Sequence, residues 1–452
     1  MPLPRPPRPA TVTALCCVIT VCVLGLLAPP AAAHNSLVAS NPADGAVLDS
    51  APGEIVWTFA KSVPLDTLTV TLIDATGVRT EVAGSVHDAA NDAVVITPLP
   101  VVDPGPLSIR WRLVSADGHA VTGRVDLTVG STVTPADGTL PVQDAPAVIA
   151  DATDDPAASS APAWVRWTLR YVSYAAIMTV IGILLTAATV WPDARSHPIL
   201  TRALSATLIA TGVLSLMQLV VLASDIGETS LWASIGSMGT ATSTQAGMAL
   251  ALRFVAAVAM WFTVTRVEIR YDDIYWTAVA IPSAFLLGTW AFAGHASTMR
   301  WPAVGVVTDV VHHAAAAAWL GGLVIVAGLV MPRTAPEVAA LAVRRFSTVA
   351  AVSVGVLMLT GVVQSVRLVG GPTALLSADH GRYLALKVTA VLVMVAIAAA
   401  NRRRVSRYLS EPSRLRENLR PMRRAMLLEV AIGLVVLGIT AAMVVSPPAV
   451  AL

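Results

Sequence analysis

The sequence predicts a secreted all-β domain of the Greek-key sandwich or barrel type, joined by a disordered linker to an all-α membrane domain of about eight transmembrane helices. Three observations lead to this prediction. The first 33 residues have the form of a signal peptide, apolar and polar residues then alternate as far as residue 130, and long apolar segments fill the chain from residue 163 onward. A hydrophobic share of 55% with only 13% charged residues is too apolar for a soluble protein of 452 residues.

The predicted signal peptide decides which residue begins the mature chain. Residues 1–33 combine basic residues, an apolar run and a run of alanines that ends at Ala33. Cleavage after Ala33 makes His34 the new N-terminus, where the α-amine and the imidazole of one residue can chelate one metal ion. All three cysteines lie between Cys16 and Cys22, so the mature chain has no disulfide and no thiolate ligand. Any metal must therefore be held by His, Asp, Glu or Met.

Residues 34–130 show the period of β-strands rather than that of helices. The predicted strands are Glu54–Phe59, Thr67–Ile73, Ala93–Thr97, Leu107–Val114 and Gly123–Val129. Turn residues such as Asp103-Pro104-Gly105 separate them, and short strands at this spacing are typical of a Greek-key sandwich or barrel. His87 is expected to be a solvated loop residue, and the alternative is an accessory metal ligand.

Asp117 and His119 are the candidate metal ligands within this domain. They are two residues apart, so on an extended backbone they project from the same face. Together with the amine and ring of His34 they would make a compact nitrogen and oxygen site, which suits Cu(II) better than Mg or Ca. The alternative is that Asp117-Gly118 is an ordinary hairpin turn with a surface histidine beside it.

Residues 131–162 contain five Asp and no Lys or Arg, together with many Pro, Ala and Ser. A segment of this composition cannot bury a core, so it is predicted to be a flexible acidic tether.

The rest of the chain, residues 163–452, is predicted to cross the cytoplasmic membrane repeatedly. The candidate spans are Tyr171–Val190, Ala203–Ala223, 247–265, 274–293, 303–331, 346–368, 383–400 and 425–446. Each is close to the length of about 20 residues that crosses hydrocarbon. Nine arginines lie between Arg402 and Arg424, whereas 224–246 has none, so the positive-inside rule places the β domain outside the cytoplasm. The small net charge and the lack of a basic stripe argue against nucleic acid as a partner.

Ionisable and soft side chains within the spans mark a candidate transport path. His312 lies ten residues after Pro302, which places it close to the middle of the bilayer, and Asp309 is three residues earlier on the same helix face. Asp309 is expected to orient the His312 ring or to share a cation with it. His295 and Met299 are placed at the outer mouth of the path. The alternative for His312 is a hydrogen-bonded residue that packs two helices together.

Other polar and soft residues of the spans have weaker predicted roles. Arg253, Lys387 and Glu429 are interpreted as residues near span ends that snorkel or pair. Met238 and Met248 lie near the outer face, where a soft Cu(I) ligand would be useful, and the remaining methionines are expected to be ordinary lipid-facing or core residues. Gly321-Gly322 is expected to allow close helix packing.

The β domain resembles the periplasmic copper-binding family CopC. The resemblance is carried by AHNSLVASNPADGAVLDSAPGEIVWTF and by VSADGHAVTGRVDLTV. It implies one Cu(II) ion held by His34 through its amine and ring, together with Asp117 and His119. The Met-rich Cu(I) site of some CopC members is expected to be absent, because no methionine lies between Met1 and Met178.

The membrane half is similar to the CopD family. The matching pieces are Gly294-His295-Ala296, TDVVHHAAAAAWLGGL, Arg345-Phe346-Ser347, Gly381-Arg382-Tyr383 with Lys387, Asn401-Arg402, and Glu429. The resemblance implies passage of copper, as Cu(I) or Cu(II), across the cytoplasmic membrane by a fused CopC–CopD chain. The expected partners are copper ions, the lipid bilayer and extracytoplasmic copper chaperones.

The sequence thus predicts a copper-transport protein for copper homeostasis and resistance rather than an enzyme. An external binder suits capture, which favours import, and no Walker A motif is present to support direct ATP-driven pumping. One alternative is a membrane-anchored histidine-brace copper oxidase. Another is a copper sensor or a haem electron carrier, which needs two histidines on facing helices at similar depth, whereas His295 and His312 differ in depth.

Overall fold

The computed structural model describes most of the β domain and the membrane helices. The described residues are 37–114, 120–130, 161–191, 197–227, 229–266, 272–293, 301–369, 379–408 and 415–445. They belong to two compact units, of which one comprises 31–161 with 220–247 and the other comprises 162–219 with 248–452. The predicted signal peptide lies outside the described residues, as does almost all of the predicted tether.

The described part of the β domain contains nine strands in two sheets. They are β1 (Leu37–Asn41), β2 (Val47–Leu48), β3 (Glu54–Phe59), β4 (Leu68–Ile73), β5 (Arg79–Val82), β6 (Val86–Asp88), β7 (Asn91–Pro98), β8 (Gly105–Val114) and β9 (Ala120–Val129). One sheet has the order β1–β3–β7–β6 and the other β2–β9–β8–β4–β5. The β2–β9 pair is parallel, and the remaining pairs are antiparallel. The all-β prediction is confirmed, and all five predicted strands are present.

Alternation along the strands builds the core of this domain. In β3, Ile55, Trp57 and Phe59 are buried while the residues between them are more exposed. The indole Nε1 of Trp57 donates to the Thr97 hydroxyl at 3.0 Å, which satisfies the polar group of a buried ring. Apolar residues on one face of each strand therefore form a single core between the sheets.

His87 lies in strand β6, so its prediction as a loop residue is wrong. Its Nε2 is 2.7 Å from the carbonyl oxygen of Val63. A carbonyl oxygen can only accept a hydrogen bond, so Nε2 carries the proton. This nitrogen therefore ties β6 to the residues before β4 and offers no lone pair to a metal.

The membrane domain is helical, as predicted. The helices are α1 (Ala163–Leu185), α2 (Pro198–Gly227), α3 (Met238–Ser243), α4 (Gln245–Arg266), α5 (Asp272–Ala293), α6 (Pro302–Ala316), α7 (Gly322–Ile325), α8 (Met331–Arg333), α9 (Pro336–Val369), α10 (Asp379–Tyr408) and α11 (Leu415–Val445). The π-helical turns Ala317–Gly321 and Val326–Val330 join α6, α7 and α8 into one continuous span. A further π-helical turn, Thr186–Val190, extends α1.

Within the described residues, seven helices are long and apolar enough to cross a membrane. They account for seven of the eight predicted spans. The eighth, 274–293, coincides with α5, whose described apolar part is the shorter stretch Val279–Phe292. The prediction of a polytopic helical domain is therefore confirmed.

The α6–α8 span is in backbone contact with α1. A Cβ atom on Gly321 would overlap the carbonyl oxygen of Met178, and one on Gly182 would overlap the backbone of Gly321. Small residues allow membrane helices to approach this closely. The close packing predicted for Gly321 is confirmed.

We expect Gly321→Ala to destabilise the helix bundle. The added methyl group meets backbone atoms of α1, which cannot move aside without separating the helices, so the loss should be about 1–3 kcal/mol. The control is Gly328→Ala in the same span, because a Cβ atom there has no neighbour within 4 Å. Thermal unfolding of the purified proteins in one detergent would compare them. Equal midpoints for the two variants would contradict the close contact.

Candidate functional site

The three predicted CopC-type ligands, His34, Asp117 and His119, lie outside the described residues. The structure does describe the strands that flank them. Val114 of β8 pairs with Ala120 of β9, so the segment that carries Asp117 and His119 connects two paired antiparallel strands.

A chain of contacts links this connection to the start of β1, three residues after His34. Leu37 pairs with Phe59, and the Phe59 ring meets the Trp111 ring edge to face with 5.1 Å between centroids. Trp111 lies in β8, three residues before Val114, whose carbonyl accepts a hydrogen bond from the Thr67 hydroxyl at 2.8 Å. The described core therefore brings the start of β1 and the end of β8 to the same end of the domain.

The membrane domain contains a half-buried carboxylate–imidazole pair on α6. The Asp309 carboxylate lies 3.3 Å from Nδ1 of His313, and the same nitrogen is 2.8 Å from the backbone carbonyl oxygen of Asp309. Gln364 of α9 donates to the other carboxylate oxygen at 3.0 Å. Asp309 therefore orients His313, one helical turn away, and the expectation that it orients His312 is wrong.

His312 is held by a different partner. Its Nδ1 is 2.9 Å from the hydroxyl oxygen of Thr360 on α9. That hydroxyl also lies 2.7 Å from the Val356 carbonyl oxygen, which can only accept, and with its proton on that carbonyl it accepts from His312. Nδ1 of His312 is consequently the protonated nitrogen, and Nε2 carries the lone pair.

The same reasoning applies to His313. Both neighbours of its Nδ1 are oxygen acceptors, so Nδ1 carries a proton and, in the neutral ring, Nε2 carries the lone pair. The two ring centroids are 6.2 Å apart, and the planes are nearly perpendicular at 83°. Two adjacent imidazoles thus have fixed tautomers, each with Nε2 as the nitrogen able to accept a proton or a metal ion.

Aromatic side chains and an arginine complete the surroundings of His313. Trp290 and Tyr174 lie with their ring centroids 5.1 Å and 6.2 Å from that of His313. Arg253 is only 2% exposed, donates from Nε to Thr289 at 2.9 Å and stands 5.2 Å from the Trp290 ring centroid. A cation–π contact thus holds a buried positive charge beside the histidine cluster.

Two of the three residues interpreted as span-end groups lie inside the bundle instead. Arg253 is enclosed as described, and Glu429 is 6% exposed and accepts a hydrogen bond of 2.6 Å from Asn401. Snorkelling is therefore wrong for both, whereas the pairing alternative holds for Glu429. Lys387 of α10 is half-buried.

The remaining candidate residues are distributed as follows. His295 and Met299 lie outside the described residues. Met238 begins α3 and is half-buried, and Met248 lies exposed on α4. Within the described part of the chain, no three His, Cys, Asp or Glu side chains are placed to hold one metal ion. The donors around His312 and His313 therefore do not form a closed three-ligand metal site within the described residues.

Several residues of this cluster carried no signal in the sequence. Thr360, Gln364 and Trp290 are ordinary residues of apolar helices, and only packing brings them to α6. Arg253 did carry one, since an arginine within an apolar span usually faces the interior of the bundle.

Three family models match successive parts of the chain. "CopC domain" matches residues 37–130, "Copper resistance protein D-like, N-terminal domain" matches 161–301, and "Copper resistance protein D" matches 340–443. Copper resistance protein C of Pseudomonas syringae pv. tomato is 32% identical over 123 residues, which are 25% of this chain and 93% of that protein. This chain belongs to the fused CopC–CopD family.

Similarity to other proteins extends over both halves of this CopC–CopD fusion. Copper transport protein CutJ of Bacillus subtilis (strain 168) is 26% identical over 396 residues, which are 84% of this chain and 70% of that protein. The crystal structure of CopC from Methylosinus trichosporium OB3b has 24% identity, covers 22% of this chain and 98% of that chain, and has a TM-score of 0.20.

The residues that surround Asp309 and His313 come from both matched parts of the CopD half. Tyr174, Arg253 and Trp290 lie in the CopD-like N-terminal match, and Thr360 and Gln364 lie in the CopD match. The pair that they surround, Asp309 and His313, lies on α6 between the two matched ranges. The chain is accordingly a multi-pass membrane protein with copper-resistance domains on both sides of residues 131–160.

Proposed function

We propose that this protein captures copper with its CopC domain outside the cytoplasmic membrane and passes it inward through its CopD helices. The observation that carries the proposal is the half-buried cluster of Asp309, His312 and His313 within one span of a chain that also contains a CopC domain. Ionisable groups within spans are costly and usually line an interior path. Both imidazoles have Nε2 available as a donor, and imidazole is a good copper ligand.

The capture site is assigned to His34, Asp117 and His119, which would hold Cu(II). The assignment follows from the CopC resemblance and from the free α-amine that cleavage would create at His34. It is further supported by the packing of Leu37, Phe59 and Trp111, which brings the flanks of these residues to one end of the domain.

Import is favoured because an external binder suits capture of scarce copper. Deleting the gene should lower total cell copper in copper-limited medium, and expression from a plasmid should restore it. Mass spectrometry of washed cells would measure this. Equal copper in both strains at every copper concentration would contradict transport, and more copper in the deletion strain would indicate export.

A haem electron carrier needs two histidines on facing helices at similar depth. His312 and His313 are neighbours on the same helix, α6, so they do not provide such a pair, and His295 lies outside the described residues.

The proposed orientation makes a direct labelling prediction. Single cysteines placed at 229–246 should react with an impermeant maleimide in intact cells, whereas a cysteine among Arg402–Arg424 should react only after lysis. The arginine-rich segment determines this orientation through the positive-inside rule. Replacing Cys16, Cys17 and Cys22 by alanine keeps the leader apolar and gives a background without reactive thiols. Labelling of the arginine-rich segment in intact cells would reverse the topology.

A further inference from the structure

Glu429 is a buried carboxylate that the cluster around His313 does not use. It lies in α11, and its Oε1 accepts a hydrogen bond from Nδ2 of Asn401 on α10. An amide donor satisfies one lone pair of the carboxylate without neutralising its charge. Burial of such a group in a span is expensive and points to a functional role.

Two methionines share the helix face of Glu429. Met426 and Met422 precede it by three and seven residues, so all three lie along one side of α11. The two methionines are 8% and 3% exposed and belong to the same buried core as Val326 and Ala327 of the α6–α8 span. The side of α11 that carries the carboxylate therefore also presents two thioethers to the interior.

Two contacts show which residues of the α6–α8 span lie beside this face of α11. Arg423 donates from Nε to the Ala327 carbonyl at 2.9 Å, and a Cβ on Gly433 would meet Leu320 at 2.5 Å. Leu320 lies seven residues after His313, and Glu429 lies four residues from Gly433 along α11. At the helical rise per residue, Glu429 is thus roughly 15 Å from His313 along the bundle, toward the end that carries the arginines.

Thioether sulfur is a soft ligand that selects Cu(I), and a carboxylate supplies charge to balance the cation. We propose that Met422, Met426 and Glu429 form a second copper-binding site, the Met–Glu site, which takes Cu(I) in the half of the bundle beyond His312 and His313. This inference rests on the proposed function, since it assumes that copper traverses the CopD helices. It gives the bundle two sets of donors on one path, imidazoles first and thioethers second. Copper captured as Cu(II) must gain one electron from an external reductant of the thiol or quinol class before it reaches the thioethers.

X-ray absorption at the copper edge of the purified full chain would test the Met–Glu site. The probe is Cu(I) added anaerobically as its acetonitrile complex, to protein in which Cys16, Cys17 and Cys22 are replaced by alanine. Residues 2–177 contain no methionine, so sulfur bound to copper cannot come from the CopC domain. We expect a sulfur shell at about 2.3 Å from copper, the distance that zinc–sulfur bonds have in proteins.

Met422→Leu/Met426→Leu removes both thioethers while nearly conserving volume. It should abolish the sulfur shell, weaken Cu(I) binding at least tenfold and lower copper accumulation in cells. The matched control is Met260→Leu, because Met260 is 0% exposed in the same core but lies on α4. Glu429→Gln keeps an oxygen for Asn401 and removes the charge, so it should weaken Cu(I) binding while the sulfur shell remains.

The outcomes separate this inference from the function on which it rests. A sulfur shell unchanged in the double variant, or lost equally in Met260→Leu, would overturn the Met–Glu site. Normal copper accumulation by the double variant would also overturn it and leave transport intact. If copper accumulation is the same in cells with and without the wild-type protein, transport is refuted. The sulfur shell of the purified protein would still show whether the Met–Glu site binds Cu(I).

Discussion

Extending the mature N-terminus by a single methionine is expected to weaken Cu(II) binding by the CopC domain at least ~100-fold, or about 2.8 kcal/mol. The extension converts the α-amine of His34 into an amide, which is neutral and a poor ligand. The chelate formed by the α-amine and the imidazole of His34 is lost. The remaining ligands are then Asp117, His119 and one ring nitrogen of His34. Nitrogen donors in a tetragonal arrangement are what Cu(II) prefers, so losing one of them should dominate the affinity.

The comparison uses residues 34–130 with and without the added methionine. This segment has its own two-sheet core, and His34 lies three residues before Leu37, outside the pairing of β1 with β3. The two proteins should therefore unfold at the same temperature while their electron paramagnetic resonance spectra differ. A His119→Ala variant serves as a positive control for the loss of a ligand. Identical spectra and affinities for the extended and unextended proteins would rule out the amine as a ligand.

Replacing His312 by Asn or by Ala is expected to reduce copper accumulation to that of cells without the protein. The structure separates the packing and ligand roles of this residue. Its Nδ1 donates to Thr360, and Nδ2 of an asparagine lies close enough to the same position to make that bond. Asparagine has no atom at the position of Nε2. A packing role is thus retained in His312→Asn and lost in His312→Ala, whereas a ligand role is lost in both.

The amount of folded protein and Cu(II) binding by the CopC domain should be unchanged in His312→Asn. His197→Asn is a matched control, because His197 precedes α2 and is not part of the cluster around Asp309. Normal copper accumulation by His312→Asn together with loss in His312→Ala would assign His312 to packing. His313 would then be the remaining imidazole candidate of α6.

Much of the architecture could be predicted because it depends on local periodicity. Alternation with period two predicted β3 at its observed bounds, Glu54–Phe59, and the long apolar runs predicted the seven described membrane-spanning helices and α5, but not α3. The short strands β1, β2, β5 and β6 were not predicted. They contain few residues, lie at sheet edges or next to them, and have too little apolar alternation to be recognised alone.

By itself, the sequence determined the kinds of donor that this protein can offer. It has no cysteine beyond Cys22, a candidate N-terminal histidine at His34, and carboxylate and imidazole groups within a single apolar span. Only the tertiary structure decided their partners. Asp309 contacts His313, which lies four residues away on α6. His312 lies three residues from Asp309 and is held instead by Thr360 of α9. Arg253 and Glu429 are buried, and Trp290 is half-buried, through contacts between helices distant in sequence, and no local pattern encodes which helices make those contacts.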